Sequence, residues 1–248
     1  MKGPDTEKRA LRIIERLKMF NRKERDHLMK FALCEQPAAP QISTDLWETL
    51  SNGGTKPNPD RMFIGMDYHL NWLYAALATS DPEMEDEVGS LKNSWNFKSA
   101  PESTPILGNQ EDVDLLVAWF DQRWRMPFRL YLVEAKLDSP WRSDQLHSKV
   151  DRLALIQADA MSQNLDFINW HLRLLSPNPP KAEVIENARK RHQEKASELN
   201  LPKVRRMSID WADWTVSGGE HRVNRLKENH GFWKVEKHSR KRIKSRYA

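Results

Sequence analysis

Two short apolar runs stand out from a chain whose other apolar residues mostly recur at helical spacing. They are residues 114–119, DLLVAW, and residues 129–137, RLYLVEAKL. Both have strand length, and the segment between them, FDQRWRMPF, reads as a reversal. Elsewhere the spacing predicts helices. Residues 5–35 read as two of them. Leu11, Ile14, Leu17 and Phe20 line the first, and Asn21 and Glu24 form a capping-box pattern before a stripe of Leu28, Phe31 and Ala32. Residues 66–78, MDYHLNWLYAALA, predict a third helix with Leu70, Leu73, Tyr74 and Leu77 on one face. Residues 143–161 predict an amphipathic helix opened by Ser143, residues 167–176 a strand stopped by PNPP, and residues 182–199 a charged surface helix. Beyond them, RRMSIDWADWTV and FWKVEK are candidate strands. Residues 88–110, with Trp95 and Phe97, leave room for one short strand. The order helix, strands, helix, strand implies a mixed α/β layer. It divides the chain into an N-terminal helical region (1–50), a core (60–180) and a C-terminal helix with a basic extension packed on that core (181–248).

Composition narrows the classes. Hydrophobic residues make up 39% and charged residues 30% of 248, and ten tryptophans can fill a core, so a folded protein is expected. The formal charge of +5 suits a polyanionic partner without requiring one. A single cysteine, Cys34, excludes an internal disulfide or a cysteine zinc site. The first residues do not read as a signal peptide, and no apolar run approaches the roughly 18 residues of a membrane span. A reducing, cytoplasmic setting follows as the expectation.

Candidate chemistry sits in the two apolar runs. Residues two apart in a strand share a face, so Glu134 and Lys136 project together. In an antiparallel hairpin turning near Trp124, Asp114 falls directly across from Glu134, and Lys136 across from Asp112. Paired side chains have β-carbons about 5 Å apart, so two carboxylates would share one cation. A one-residue slip would separate them. Mg²⁺ takes oxygen ligands and keeps several waters. Asp114, Glu134 and the Ala135 carbonyl would offer three oxygens, and Lys136 would steady an attacking water and offset growing charge at a phosphate. Chance alone supplies about two or three acid-x-Lys triplets in such a composition. This chain has one, inside its most apolar strand. Ionised residues there are costly unless they form a site or face water at a strand end.

The series D-LLVAW, LYLVEAK and W-R-SDQL-SK-DRL resembles the core of the PD-(D/E)xK nuclease superfamily, over roughly residues 66–176. The resemblance implies a restriction-endonuclease-like mixed sheet with element order αβββαβ. It also implies hydrolysis of phosphodiesters, in DNA rather than RNA, with Mg²⁺ or Mn²⁺, in a setting such as restriction, phage defence or repair. Asp114 would be the first acid, Glu134 the second, Lys136 the lysine, and Gln145 the helix glutamine that many relatives carry. Val113 stands where the family name has proline, and Asp112, on the same face, is the alternative first acid. Some members use an acid from the first helix, and Asp67 is the only candidate in the helix expected there. Duplex cutters of this kind often work as homodimers, although the sequence shows no interface.

Further candidates would bind the polynucleotide. Gln145, Lys149 and Arg152 share one face of the 143–161 helix and would contact phosphates. Trp141 would stack on a base or else staple the core. The basic end of the chain, including Lys241 and Arg242, would grip a backbone. His69 reads more simply as structural than catalytic.

Overall fold

A five-stranded mixed sheet carries the molecule, with all but one of the described helices on one of its faces. The computed structural model describes residues 4–24, 26–28, 42–51, 57–81, 84, 111–136, 140–203, 206–213, 221–225 and 233–237. The order along the chain is α1 (Pro4–Phe20), α2 (Thr44–Ser51), β1 (Met62–His69), α3 (Leu70–Ala78), β2 (Asp112–Phe120), β3 (Phe128–Ala135), α4 (Ser143–Ser162), β4 (Ile168–Ser176), α5 (Ala182–Glu198), β5 (Ser208–Asp213), β6 (His221–Arg225) and β7 (Trp233–Lys237). Strands β1 to β5 lie side by side in sequence order, and β6 pairs with β7 in a separate ribbon. The pairs β1–β2 and β2–β3 are antiparallel, whereas β3–β4 and β4–β5 are parallel. The parallel pairs are joined through α4 and α5, as parallel neighbours require. Among the described residues no helix is long and apolar enough to cross a membrane.

The main core lies between one sheet face and four helices. Leu116, Ala118 and Phe120 of β2, Leu130 and Leu132 of β3, and Trp170, Leu172 and Leu174 of β4 meet Ile13, Ile14 and Leu17 of α1, Leu73 and Leu77 of α3, and Val150, Leu153 and Ile156 of α4. The other face holds a smaller cluster in which α2 contributes Trp47 and Leu50. An aromatic row crosses this second face. Trp119 stacks on Tyr131 at 4.9 Å, and Tyr131 on His171 at 4.2 Å. Strands buried on both faces need apolar residues at nearly every position, which is why β2 and β3 read as continuous runs. Helices α4 and α5 stop alike. Asn164 and Asn200 take positive φ of 60° and 56°, and the next residue, Leu165 or Leu201, donates its N–H back to Ala160 or Ala196. Asparagine tolerates that left-handed position, which closes off the last carbonyls of each helix.

Several expectations change. The predicted helix 66–78 is a strand and a helix. Met66 to His69 finish β1, and only Leu70–Ala78 is helical. Asp67 therefore does not open a helix. It sits within β1 at a φ of 49°, where the alternation of faces breaks. Phe63 and Tyr68 consequently meet edge to face at 5.3 Å on the main-core side, although their spacing in a regular strand would oppose them. In the N-terminal helical region, α1 is built into the main core. Leu28, expected in a buried stripe, is 65% exposed. Phe31, Ala32, Cys34, Trp95, Phe97, Lys241 and Arg242 lie outside the described residues.

Candidate active site

The site forms where β2 begins and β3 ends. The pairs from Leu115–Val133 to Phe120–Phe128 keep the register expected from the sequence, and one further step along it brings Asp114 level with Glu134. The Asp114 carboxylate folds over the strand end, and its Oδ2 accepts the Ala135 N–H at 2.7 Å. Lys136, one residue past β3, is held by a backbone bond from its N–H to the Leu175 carbonyl of β4 at 2.8 Å. Its ammonium donates to Gln145 Oε1 at 3.0 Å and lies 5.6 Å from the Trp141 ring centre. Antiparallel pairing thus supplies the two acids, and the first turn of α4 orients the lysine.

These groups line one open cleft of about 430 Å³, together with Glu111, Asp112, Leu146, Ser148 and Lys149. A second cleft, of about 390 Å³, adjoins it and shares Lys136 and Trp141 as walls. Trp141 is partly buried against the main core, and its indole N–H bonds Ser176 Oγ at 3.1 Å. It is therefore a staple that still borders both clefts.

The remaining candidates separate by their partners. Asp112 also borders the first cleft, but each of its carboxylate oxygens already has a neighbour. Oδ2 accepts from Lys23 Nζ at 2.7 Å, and His69 Nδ1 lies against Oδ1. Asp112 thereby ties the N-terminal segment to the start of β2, leaving Asp114 as the acid turned towards β3. His69 also meets the Trp72 ring at 4.2 Å. Asp67 falls opposite Asp114 in the β1–β2 register but does not border the cleft. Arg152 does not offer its guanidinium to a ligand. It is 1% exposed, bonds Asn71 Oδ1 and lies 3.7 Å from Glu111 Oε2.

Lys149 corrects the sequence reading most sharply. It is 9% exposed, and its ammonium donates both to the Asp112 carbonyl at 2.6 Å and to Glu134 Oε1. The residue expected to contact phosphates is thus paired with groups of both strands at the candidate centre. Its i, i+4 spacing from Gln145 revealed the shared helix face, but periodicity says nothing of a partner on a neighbouring strand. Burial pushes the Glu134 carboxyl up to about 7; the charge and hydrogen bond of Lys149 pull it down, and the Asp114 charge adds to the rise.

Among the described residues no three Asp, Glu, His or Cys side chains converge as a metal-ligand set. The cleft holds four carboxylates; Glu111 and Asp112 are engaged by Ser148 and Lys23, which leaves Asp114 and Glu134 with the Ala135 backbone beside them as the candidate donors. That set fits a hard, well-hydrated ion such as Mg²⁺, which completes its shell with water and substrate oxygens. The Lys149 ammonium lies against Glu134 in this cleft. Comparison with protein-family models, curated proteins and solved structures returns no match.

Proposed function

We propose that the chain is a metal-dependent phosphodiester hydrolase of the PD-(D/E)xK type, acting on DNA. The observation that carries the reading is the convergence of Asp114, Glu134, Lys136 and Gln145 on one open cleft. The element order supports it. Three antiparallel strands, a helix and a strand parallel to the third follow one another as in that family's core, with α1 packed beneath and α3 inserted after β1. Val113 and Asp67 remain departures from the pattern. The preference for DNA rests on the family resemblance.

Asp114 and Glu134 would hold the ion, with the Ala135 carbonyl as a third donor. When bound, the ion supplies Lewis acidity to a phosphate oxygen and to a coordinated water. Lys136 draws the phosphate in and holds the attacking water, while Gln145 fixes the lysine's direction. The open rim of the cleft admits a polymer, and a homodimer would give such a centre access to both strands of a duplex.

The test is incubation of purified protein with linear, circular and single-stranded DNA, and with RNA, in Mg²⁺ or Mn²⁺. Asp114→Ala and Lys136→Ala are expected to abolish cutting and leave circular dichroism unchanged. Cleavage persisting in both variants would move the centre elsewhere. The Lys149–Glu134 contact favours a second reading, a nucleic-acid binder that has lost catalysis. Such a protein would shift DNA equally well in a chelator and cut nothing.

A further inference from the structure

Lys149 makes an unusual connection across the candidate centre. From the second turn of α4 its ammonium reaches two strands at once, bonding the Asp112 carbonyl of β2 and Glu134 Oε1 of β3. Lys136 behaves differently, since its ammonium is held by the neutral Gln145 amide. Four carboxylates, Glu111, Asp112, Asp114 and Glu134, share the cleft with these two lysines, and Lys149 is the cation placed on Glu134 itself. An ion approaching Glu134 meets a carboxylate with one oxygen occupied and a fixed ammonium beside it. A fixed ammonium this close repels the arriving cation and so weakens its binding.

We propose that Lys149 is the built-in counter-cation of the metal site: it pairs with Glu134 while the ion is absent and competes with the ion for that carboxylate. This rests on the metal-dependent reading above. Lys149 is a positioning residue here. It keeps two acids from repelling each other in the empty centre, and it must release Glu134 when the divalent cation enters. The Asp112 carbonyl gives the freed ammonium a second partner already within its reach.

The experiment measures Mn²⁺ affinity without substrate, by electron paramagnetic resonance of the free ion, for the full chain and for Lys149→Met and Lys149→Arg. Methionine keeps most of the stem and removes the charge. Lys149→Met is expected to bind Mn²⁺ about tenfold more tightly, and Lys149→Arg as weakly as the parent. Thermal unfolding supplies a second reading. Without Lys149 the buried Glu134 lacks its cation, so Mn²⁺ should raise the Tm of Lys149→Met more than that of the parent. That shift remains measurable if the metal-free variant is only weakly folded. Equal or weaker Mn²⁺ binding by Lys149→Met, in a parent that binds Mn²⁺ and cuts DNA, would overturn the counter-cation role alone. Absence of Mn²⁺ binding in all three proteins, with no cutting, would overturn the hydrolase reading itself.

Discussion

Glu134 shows how one side chain links the fold to the chemistry. Its carboxyl is pushed up to about 7 by burial, against a usual value near 4.5. The folded, metal-free chain therefore binds this proton more tightly than the unfolded chain. Stability contributed by the protonated form is complete below about pH 4.5 and is lost as pH rises towards 7. At about 1.4 kcal/mol per pKa unit, the loss is about 3 kcal/mol. Glu134→Gln should remove that pH-dependent part, so its denaturation midpoint in chelator should change less between pH 5 and pH 8 than that of the parent. Parallel profiles would show that Glu134 titrates alike in the folded and unfolded chains. The convergence of Asp114, Glu134 and Lys136 on one cleft was legible in the sequence because strand parity and hairpin register involve only counting. The roles of Lys149 and Arg152 were not. Both belong to the same helical face as Gln145, but the partners of a long side chain depend on what packs opposite, here Glu134 for one and Asn71 for the other.

At the scale of elements, β1 shows where pattern reading fails. Met66, Leu70, Leu73 and Leu77 keep helical spacing across the junction of a strand with a helix. No proline or glycine marks the boundary, and His69, which precedes the helix, makes no side-chain cap bond. The positive φ of Asp67 also removes the alternation that would have betrayed a strand. By contrast, β2, β3 and β4 are buried on both faces and need no alternation to be recognised. The packing of β1 gives two predictions. A β-carbon on Gly65 would lie 2.7 Å from the Phe63 ring and 3.0 Å from the Tyr68 ring, which pack on each other. Gly65→Ala should therefore destabilise by about 1–3 kcal/mol, read by urea unfolding. Tyr68 is fully buried, and its hydroxyl donates to the Leu17 carbonyl at 2.9 Å. Tyr68→Phe should cost about 1 kcal/mol with the Mn²⁺ affinity unchanged, since the bond lies in the core rather than in the cleft.

At the scale of the whole molecule, the N-terminal region decides whether the centre stands on a complete core. The recognisable motifs begin later in the chain than this region. Helix α1 was visible from its own spacing, but spacing does not reveal which surface a helix covers. Ala10, Ile13, Ile14 and Leu17 are at most 1% exposed and sit among residues of β1, β2 and α3. Polar ties extend the attachment towards the centre. Asn21 holds Asp26 at 2.6 Å, Asp26 accepts the Met66 N–H of edge strand β1 at 3.0 Å, and Lys23 reaches Asp112 two residues from Asp114. Burying one large aliphatic side chain contributes roughly 1.5–3 kcal/mol, so three of them approach the whole 5–15 kcal/mol by which a typical domain is stable. A chain starting at residue 29 should consequently lose its cooperative thermal transition and bind a dye specific for exposed apolar surface. Lys23→Ala should be much milder, because it releases one exposed-side tie and leaves the helix in place. Its expected effect is below about 1 kcal/mol in stability, with His69 still against Asp112. A truncated chain that melts cooperatively and keeps its Mn²⁺ affinity would make the first helix an ornament, and would return the core to the later residues alone.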